Sequence, residues 1–406
     1  MSGASIWTIR DPPNREGSPS QERTCLPDPA RSIPVLPDQP GSHVSLFMRN
    51  GHLLFPVLIT ACTAPPAPTE VTEELSAQHS ALAHRCDSLL DPLVGDAYGA
   101  AVLISLHDTV ILSAGYGFID SAHRHMPTDS TLFNLASISK SLTAVCIAQL
   151  ETKGLLHRSD TLTRFFPDLP ADKRTIAIEH CLTHTSGLAQ HYAADGTRTL
   201  NEAVAAIGRD TLDTIPGTVF RYSNENYELL AAVVEKVSGM PFEAYVRAHE
   251  LLPAGMVHTK VWSDLARPSP PVVAAFTRAI EPEVFGVNWG YIGSGGIYSC
   301  TSDLHAWFHA LRDGAILSPA ELDTLWTPRV PMSVGHMARG WFVSDTNGTT
   351  EIWTRGNEDW GHNAVVRWFP ERGVLIIVLT NSGEIGDKNT TGNRILGDAL
   401  VEVLVR

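Results

Sequence analysis

Cysteine is scarce: six residues in 406, with no Cys-x-x-Cys pair, are too few and too scattered for a disulfide framework or a zinc ribbon. Cys25, Cys62, Cys86, Cys146, Cys181 and Cys300 are expected to be mostly buried thiols. Positive charge is also short. Lys plus Arg number 30 against 44 Asp plus Glu, a net charge of −14, which argues against a broad phosphate-binding surface and a nucleic-acid partner. No apolar run reaches the roughly 18 residues of a membrane-spanning helix, so the folded part is not expected to cross a bilayer. What the chain does have is 43% hydrophobic and 18% charged residues, close to the globular average, which excludes disordered, collagenous and coiled-coil chains. A length of 406 fits two or three folding units or one large two-part domain.

Residues 1–47 are rich in Pro, Ser, Arg and Asp without periodicity, and read as a disordered or non-native leader. Met48-Arg49-Asn50 then precedes an apolar run from Leu53 to Ala61, the basic-then-apolar order of a secretory signal, with translation expected to start at Met48. Leu58-Ile59-Thr60-Ala61-Cys62 resembles a bacterial lipobox. The expected organisation is a signal over 48–61, a linker over 62–75 and one folded domain over 76–406. Lipidation at Cys62 would anchor that domain at the cell envelope or in the periplasm.

Within the folded part, apolar spacing predicts a helix from Thr72 to Leu93, followed by a hairpin of Ala100–Leu106 and Val110–Tyr116. A long helix is expected over Ser137–Thr152. Shorter ones follow at Leu200–Ile207, Asn226–Val237, Phe242–Leu252 and Ser302–Arg312. Strands return at Gly340–Ser344, Thr350–Thr354, Ala364–Phe369 and Val374–Thr380 before a closing helix, Ile395–Val405. Strands at both ends with helices between them predict one sheet of distant segments carrying an inserted helical part.

Ser137-Ile138-Ser139-Lys140 puts a hydroxyl and an amine one helical turn apart, at a helix N-terminus whose N–H groups can meet an oxyanion. A serine needs a neighbouring base, and a desolvated lysine can serve. Serine is also a favoured N-cap, so the motif alone is weak. Phe220-Arg221-Tyr222-Ser223-Asn224 precedes another helix: Tyr222 could shuttle the serine proton and Asn224 could hold a substrate amide, although a capping loop reads the same way. Thr354-Arg355-Gly356-Asn357 ends a late strand, where a glycine admits close approach of a ligand and a plain turn is the alternative.

In this order the segments resemble the serine β-lactamase and penicillin-binding-protein superfamily, in the branch of class C β-lactamases, D-alanyl-D-alanine carboxypeptidases and β-lactamase-like esterases. The likeness runs from about Leu82 to the C-terminus. It includes Thr131 to Lys140, Leu182-Thr183-His184-Thr185-Ser186-Gly187-Leu188, Pro216 to Tyr227, and Gly295-Gly296-Ile297-Tyr298-Ser299. The resemblance implies that Ser137 is the acylated nucleophile, that Lys140 and Tyr222 share the acid and base work, and that Asn224 orients the substrate. One departure stands out. The family's third motif is Lys-Thr-Gly or His-x-Gly, and here either Arg355-Gly356-Asn357 or Thr354-Arg355-Gly356 takes its place, with Glu358 or Asn357 respectively supplying the second oxyanion N–H. His180 and His184 have metal-like spacing but lack the further ligands of a zinc protease, and Gly293-Ser294-Gly295-Gly296 reads as a tight turn. Trp341, Trp353, Trp360 and Trp368 are expected to be mostly core, with Trp360 bordering the site.

The expected fold is thus α/β of the α+β type: a β-lactamase-like, mainly antiparallel sheet flanked by helices, with a helical subdomain at about 137–330. The expected function is serine hydrolysis of a small ester or amide through an acyl-enzyme, without cofactor or metal. The partner is a small-molecule or short-peptide substrate. The alternative is a non-catalytic ligand-binding or regulatory relative.

Overall fold

The structure is a computed structural model that describes residues 70–120, 122–265, 288–358, 361–383, 385 and 391–406. The leader, the signal with Cys62, Cys25 and Trp360 lie outside the described residues. Helix α1 (Glu70–Val94) begins inside the stretch read as linker. It leads into the hairpin β1 (Gly99–Leu106) and β2 (Thr109–Gly117). The connection is His107-Asp108 alone, both with left-handed φ of 46° and 67°, the backbone twist a two-residue hairpin turn requires.

Strand β3 (Phe133–Asn134) passes through a 3-10 turn, Ala136–Ile138, into α2 (Ser139–Thr152). Then come α3 (Ile178–Leu182), α4 (Leu200–Arg209), α5 (Glu225–Ser238) and α6 (Phe242–Val246). A π turn at Arg247–Leu251 joins α6 to α7 (Leu252–Ala254), ahead of β4 (Lys260–Val261) and α8 (Trp262–Leu265). Beyond these lie β5 (Ile297–Ser299), α9 (Thr301–Arg312) and α10 (Pro319–Trp326). The chain closes through β6 (Val330–Pro331), β7 (His336–Met337), β8 (Phe342–Thr346), β9 (Thr349–Asn357), β10 (Asn363–Phe369), β11 (Val374–Thr380) and α11 (Gly392–Leu404). Helices α3, α8 and α10 are additions to the sequence reading. Ser318, Pro319 and Glu321 form a capping box with proline at the first turn of α10, a signal visible in the sequence.

Eight strands pair in the order β2-β1-β11-β10-β9-β8-β7-β6, antiparallel throughout, so first and last segments of the domain share one sheet. Both of its faces are covered. Ala100, Val102 and Ile104 of β1 pack with Leu90 and Val94 of α1 and Leu396 and Leu400 of α11. Ala101 and Leu103 turn the other way, onto the core shared with α2, α5 and α9. Strand β11 is buried on both sides, which is why Val374–Leu379 reads as an unbroken apolar run. A small sheet, β3-β5-β4, belongs to the helical part. Cys86, Cys146, Cys181 and Cys300 are buried free thiols, as expected. Trp341 and Trp368 are core, and no helix among the described residues is long and apolar enough to cross a membrane.

The π turn places Glu250 in the core, where its carboxyl accepts Cys146 Sγ–H at 3.0 Å and Trp307 Nε1–H at 3.1 Å. Burial pushes this carboxyl up to about 8. The folded chain therefore keeps a proton that the unfolded chain releases near its ordinary value, and stability falls as pH rises from that value towards 8. One such site contributes a slope of up to about 1.4 kcal/mol per pH unit. Urea unfolding of the wild type and of Glu250→Gln at pH 5 and pH 8 should show the wild type losing about 2 kcal/mol or more relative to the variant. Parallel pH dependences in the two proteins would refute the assignment.

Candidate active site

The serine singled out by the sequence stands on a strained turn. Ala136, just before it, has a φ of 47°, a left-handed value that costs a non-glycine residue about 1–3 kcal/mol unless its surroundings enforce it. Three contacts enforce it here. Asn134 Oδ1 accepts the Ala136 N–H at 2.7 Å, Ile297 O accepts the Leu135 N–H at 2.8 Å, and β9 presses on the turn from the sheet side. The 3-10 turn, rather than the α-helix itself, carries Ser137, and α2 starts two residues later.

Lys140 and Tyr222 converge on this hydroxyl. Lys140 Nζ donates to Ser137 Oγ at 3.0 Å and to Ser294 O at 2.7 Å, while Tyr222 OH donates to Ser137 Oγ at 2.6 Å. The lysine is only 3% exposed, and its ammonium lies 5.1 Å from the Tyr222 ring centroid and 5.9 Å from that of Tyr227. His184 supports the arrangement from below. Its ring stacks on Tyr222 with centroids 4.4 Å apart, and its Nδ1 accepts from Ser223 N–H at 3.3 Å and lies 3.2 Å from Asn226 Nδ2. Complete burial, aided by the Lys140 charge, holds this imidazole well below its ordinary range, so it is neutral. Among the described residues no three His, Cys, Asp or Glu side chains gather as a metal ion would need.

Beyond Trp353, β9 loses its neighbour β8 and pairs with β10 alone, so Thr354–Asn357 presents an open edge to the cleft. The two registers of the third motif differ in which residue packs against the serine turn. A Cβ on Gly356 would sit 2.0 Å from Leu135 O and 2.8 Å from Ser137 N, so the close approach is at Gly356. Thr354 faces the same way, accepting from Ser141 Oγ at 2.9 Å. Arg355 and Asn357 turn to the other face and are exposed. This geometry matches Thr354-Arg355-Gly356, with Asn357 following the glycine.

Two cavities meet at Ser137. One, of about 350 Å³, is walled by Phe220, Met332, Met337, Phe342, Trp353 and Arg355. Arg355 lies with its guanidinium 5.6 Å from the Trp353 ring centroid and makes no ion pair among the described residues. The other, of about 410 Å³, is lined by Gln190, Tyr192, Asp195, Asn224, Tyr291 and Glu358. Asn224 stands at the N-cap position just before α5, but its side chain makes no capping hydrogen bond, which leaves its amide available to the cleft. Asn357 borders both cavities, its Oδ1 accepting from Asn363 and Asn393 at 3.4 and 3.2 Å. The structure thus brings Ser137, Lys140, Tyr222, Asn224, Arg355, Gly356 and Asn357 to one cleft. Sequence reasoning missed the Ser294 carbonyl, which has no side-chain signature, and Asp195; Glu358 entered that reading only as a backbone N–H donor.

A sheet built from both ends of the chain, an inserted helical part, and a serine, lysine and tyrosine meeting between them define a protein of the β-lactamase fold. The sequence profile of the Beta-lactamase family matches residues 86–400, and the chain belongs to that family. Its relatives include PbpX of Bacillus subtilis (strain 168), 30% identical over 234 residues, which span 57% of this chain and 59% of the relative. Penicillin-binding protein 4* of the same organism is 26% identical over 314 residues, covering 71% and 69%. A D-amino acid amidase from Ochrobactrum anthropi SV3, solved with D-phenylalanine, shares the fold with a TM-score of 0.69 at 21% identity, over 80% of this chain and 99% of that one.

Proposed function

We propose that the protein is a serine hydrolase that cleaves a small ester or amide through an acyl-enzyme on Ser137. The observation that carries this reading is the convergence of Lys140 Nζ and Tyr222 OH on one hydroxyl, at 3.0 and 2.6 Å. Ser137 Oγ attacks the substrate carbonyl carbon, and its proton passes to the Lys140–Tyr222 pair. The bond to the leaving group then breaks, and the leaving amine or alcohol takes that proton. Water next cleaves the acyl ester, releasing an acid and restoring Ser137. The N–H groups of Ser137 and Asn357, on either side of the Gly356 contact, are assigned to the oxyanion. Names among the relatives and structural neighbours, penicillin-binding protein and D-amino acid amidase, favour amides of D-amino acids as substrates.

A fluorescent phosphonate should label Ser137, and a panel of short p-nitrophenyl esters, a chromogenic cephalosporin and D-alanyl peptides should reveal turnover. A folded protein that neither labels nor turns over any of them would be the non-catalytic relative instead. Arg355 is assigned to a substrate carboxylate, which its planar fork can meet with two parallel hydrogen bonds. Such charge-assisted bonds contribute about 1.5–3 kcal/mol each. Arg355→Ala should lower kcat/KM for a D-alanyl or cephalosporin substrate roughly ten- to thousand-fold and spare a neutral ester. An equal fall for both substrate types would remove Arg355 from recognition.

A further inference from the structure

The two cavities beside Ser137 differ in charge. The Arg355 side carries a cation among apolar walls, whereas Asp195 and Glu358 enter the other, and no Lys, Arg or His lines it among the described residues. Asp195 lies against the floor, its Oδ1 so close to Gly290 that a Cβ there would stand 1.9 Å away. Its carboxylate has no hydrogen-bond or ion-pair partner among the described residues. Glu225, behind it, is fully used as an anchor for the 191–193 backbone, accepting from His191 N–H at 2.8 Å, Ala193 N–H at 3.3 Å and Ser223 Oγ–H at 2.7 Å.

A third carboxyl lies beneath the same floor. Glu228 is 1% exposed, and its Oε2 has no partner among the described residues. It is tied to the cavity lining through Ser294, whose Oγ is 3.3 Å from Glu228 Oε1 and 2.8 Å from Gly290 O. Burial and the charges of Glu225 and Asp195 push Glu228 well above the ordinary carboxyl range, with Lys140 offsetting part of this. Burial and Glu225 likewise raise Asp195. Glu228 is thereby held neutral, whereas the carboxylates of Asp195 and Glu358 face the cavity itself, where they repel one another and both attract a cation that enters.

We propose that this second cavity receives a substrate ammonium group at Asp195 and Glu358, making the preferred substrates amino-acid amides or short peptides with a free amino terminus. The substrate then spans Ser137 with its amino end between Tyr192 and Tyr291 and its leaving side towards Arg355, whose guanidinium meets a terminal carboxylate when the substrate has one. This assignment rests on the hydrolase reading above, and the atoms move as described there: the new bond is Ser137 Oγ to carbonyl carbon, and the bond lost is the amide C–N.

The test uses the full chain and four p-nitroanilides: D- and L-alanine, each with a free or an acetylated amino group. In the configuration preferred, the free amine should exceed the acetylated compound in kcat/KM by ten-fold or more. Asp195→Asn should bring that ratio down towards one, Glu358→Gln should move it the same way, and Asp195→Glu should restore part of it. A ratio near one in the wild type, or an unchanged ratio in both neutral variants, overturns the assignment. Phosphonate labelling of Ser137 in each preparation separates the two readings. Labelled enzyme that ignores acetylation, or that cleaves none of the four compounds, removes the ammonium site alone; folded enzyme that neither labels nor cleaves removes the hydrolase reading and this one with it.

Discussion

Ser137→Ala is expected to abolish covalent labelling and to lower kcat by about 10³-fold or more, the scale of nucleophile deletions in other serine hydrolases. The loss is chemical rather than structural. The half-buried Ser137 hydroxyl is removed, with little packing, while Lys140 keeps its 2.7 Å bond to Ser294 O and the turn keeps its bonds to Asn134 and Ile297. Lys140 and Tyr222 then face a methyl group that can form no acyl bond. The variant should therefore melt within a few degrees of the wild type, and intact-mass spectra after phosphonate treatment should show no adduct. A variant that retains most of its turnover would sink the acyl-enzyme at Ser137.

Gly356→Ala should damage the chemical step for every substrate alike. The added methyl would need to stand 2.0 Å from Leu135 O, 2.8 Å from Ser137 N and 2.9 Å from Ala136 Cβ, and the first two are backbone atoms that cannot swing aside. Either β9 withdraws from the cleft or the Leu135–Ser137 turn is displaced. That turn already holds Ala136 at a φ of 47°, so it has little freedom to yield without moving the nucleophile. A displacement near 1 Å costs about 10²-fold in rate, and kcat and the phosphonate labelling rate should fall together by roughly that factor. Activity within three-fold of wild type, in a variant confirmed as folded, would show that the contact does not position the serine.

Much of this protein follows from its sequence because the determining forces are local. The Ser-x-x-Lys spacing brings the hydroxyl and the amine together within one turn of chain, and their 3.0 Å contact needs little beyond that geometry. The nearly unbroken apolar runs of β1 and β11 mark strands of a sheet covered on both faces, and the order of the motifs identified the family. The C-terminal strands were legible for the same reason, although β9 runs three residues further than its β-branched core suggests because β10 pairs with it as far as Asn357.

The tertiary structure alone decided that Gly356, and not Asn357, lies against the turn of the nucleophile, since both registers read equally well along β9 and differ only in what lies across from it. It also brought Tyr222 to 2.6 Å from a serine 85 positions away, and the Ser294 carbonyl to 2.7 Å from Lys140 across 154 positions. Asp195 and Glu358 meet in one cavity although nothing in their flanking residues relates them. A backbone carbonyl has no residue type, and a carboxylate on a loop has no periodicity. Their roles arise from long-range packing that joins the helical part to the sheet, and short-range sequence patterns carry no record of such distances.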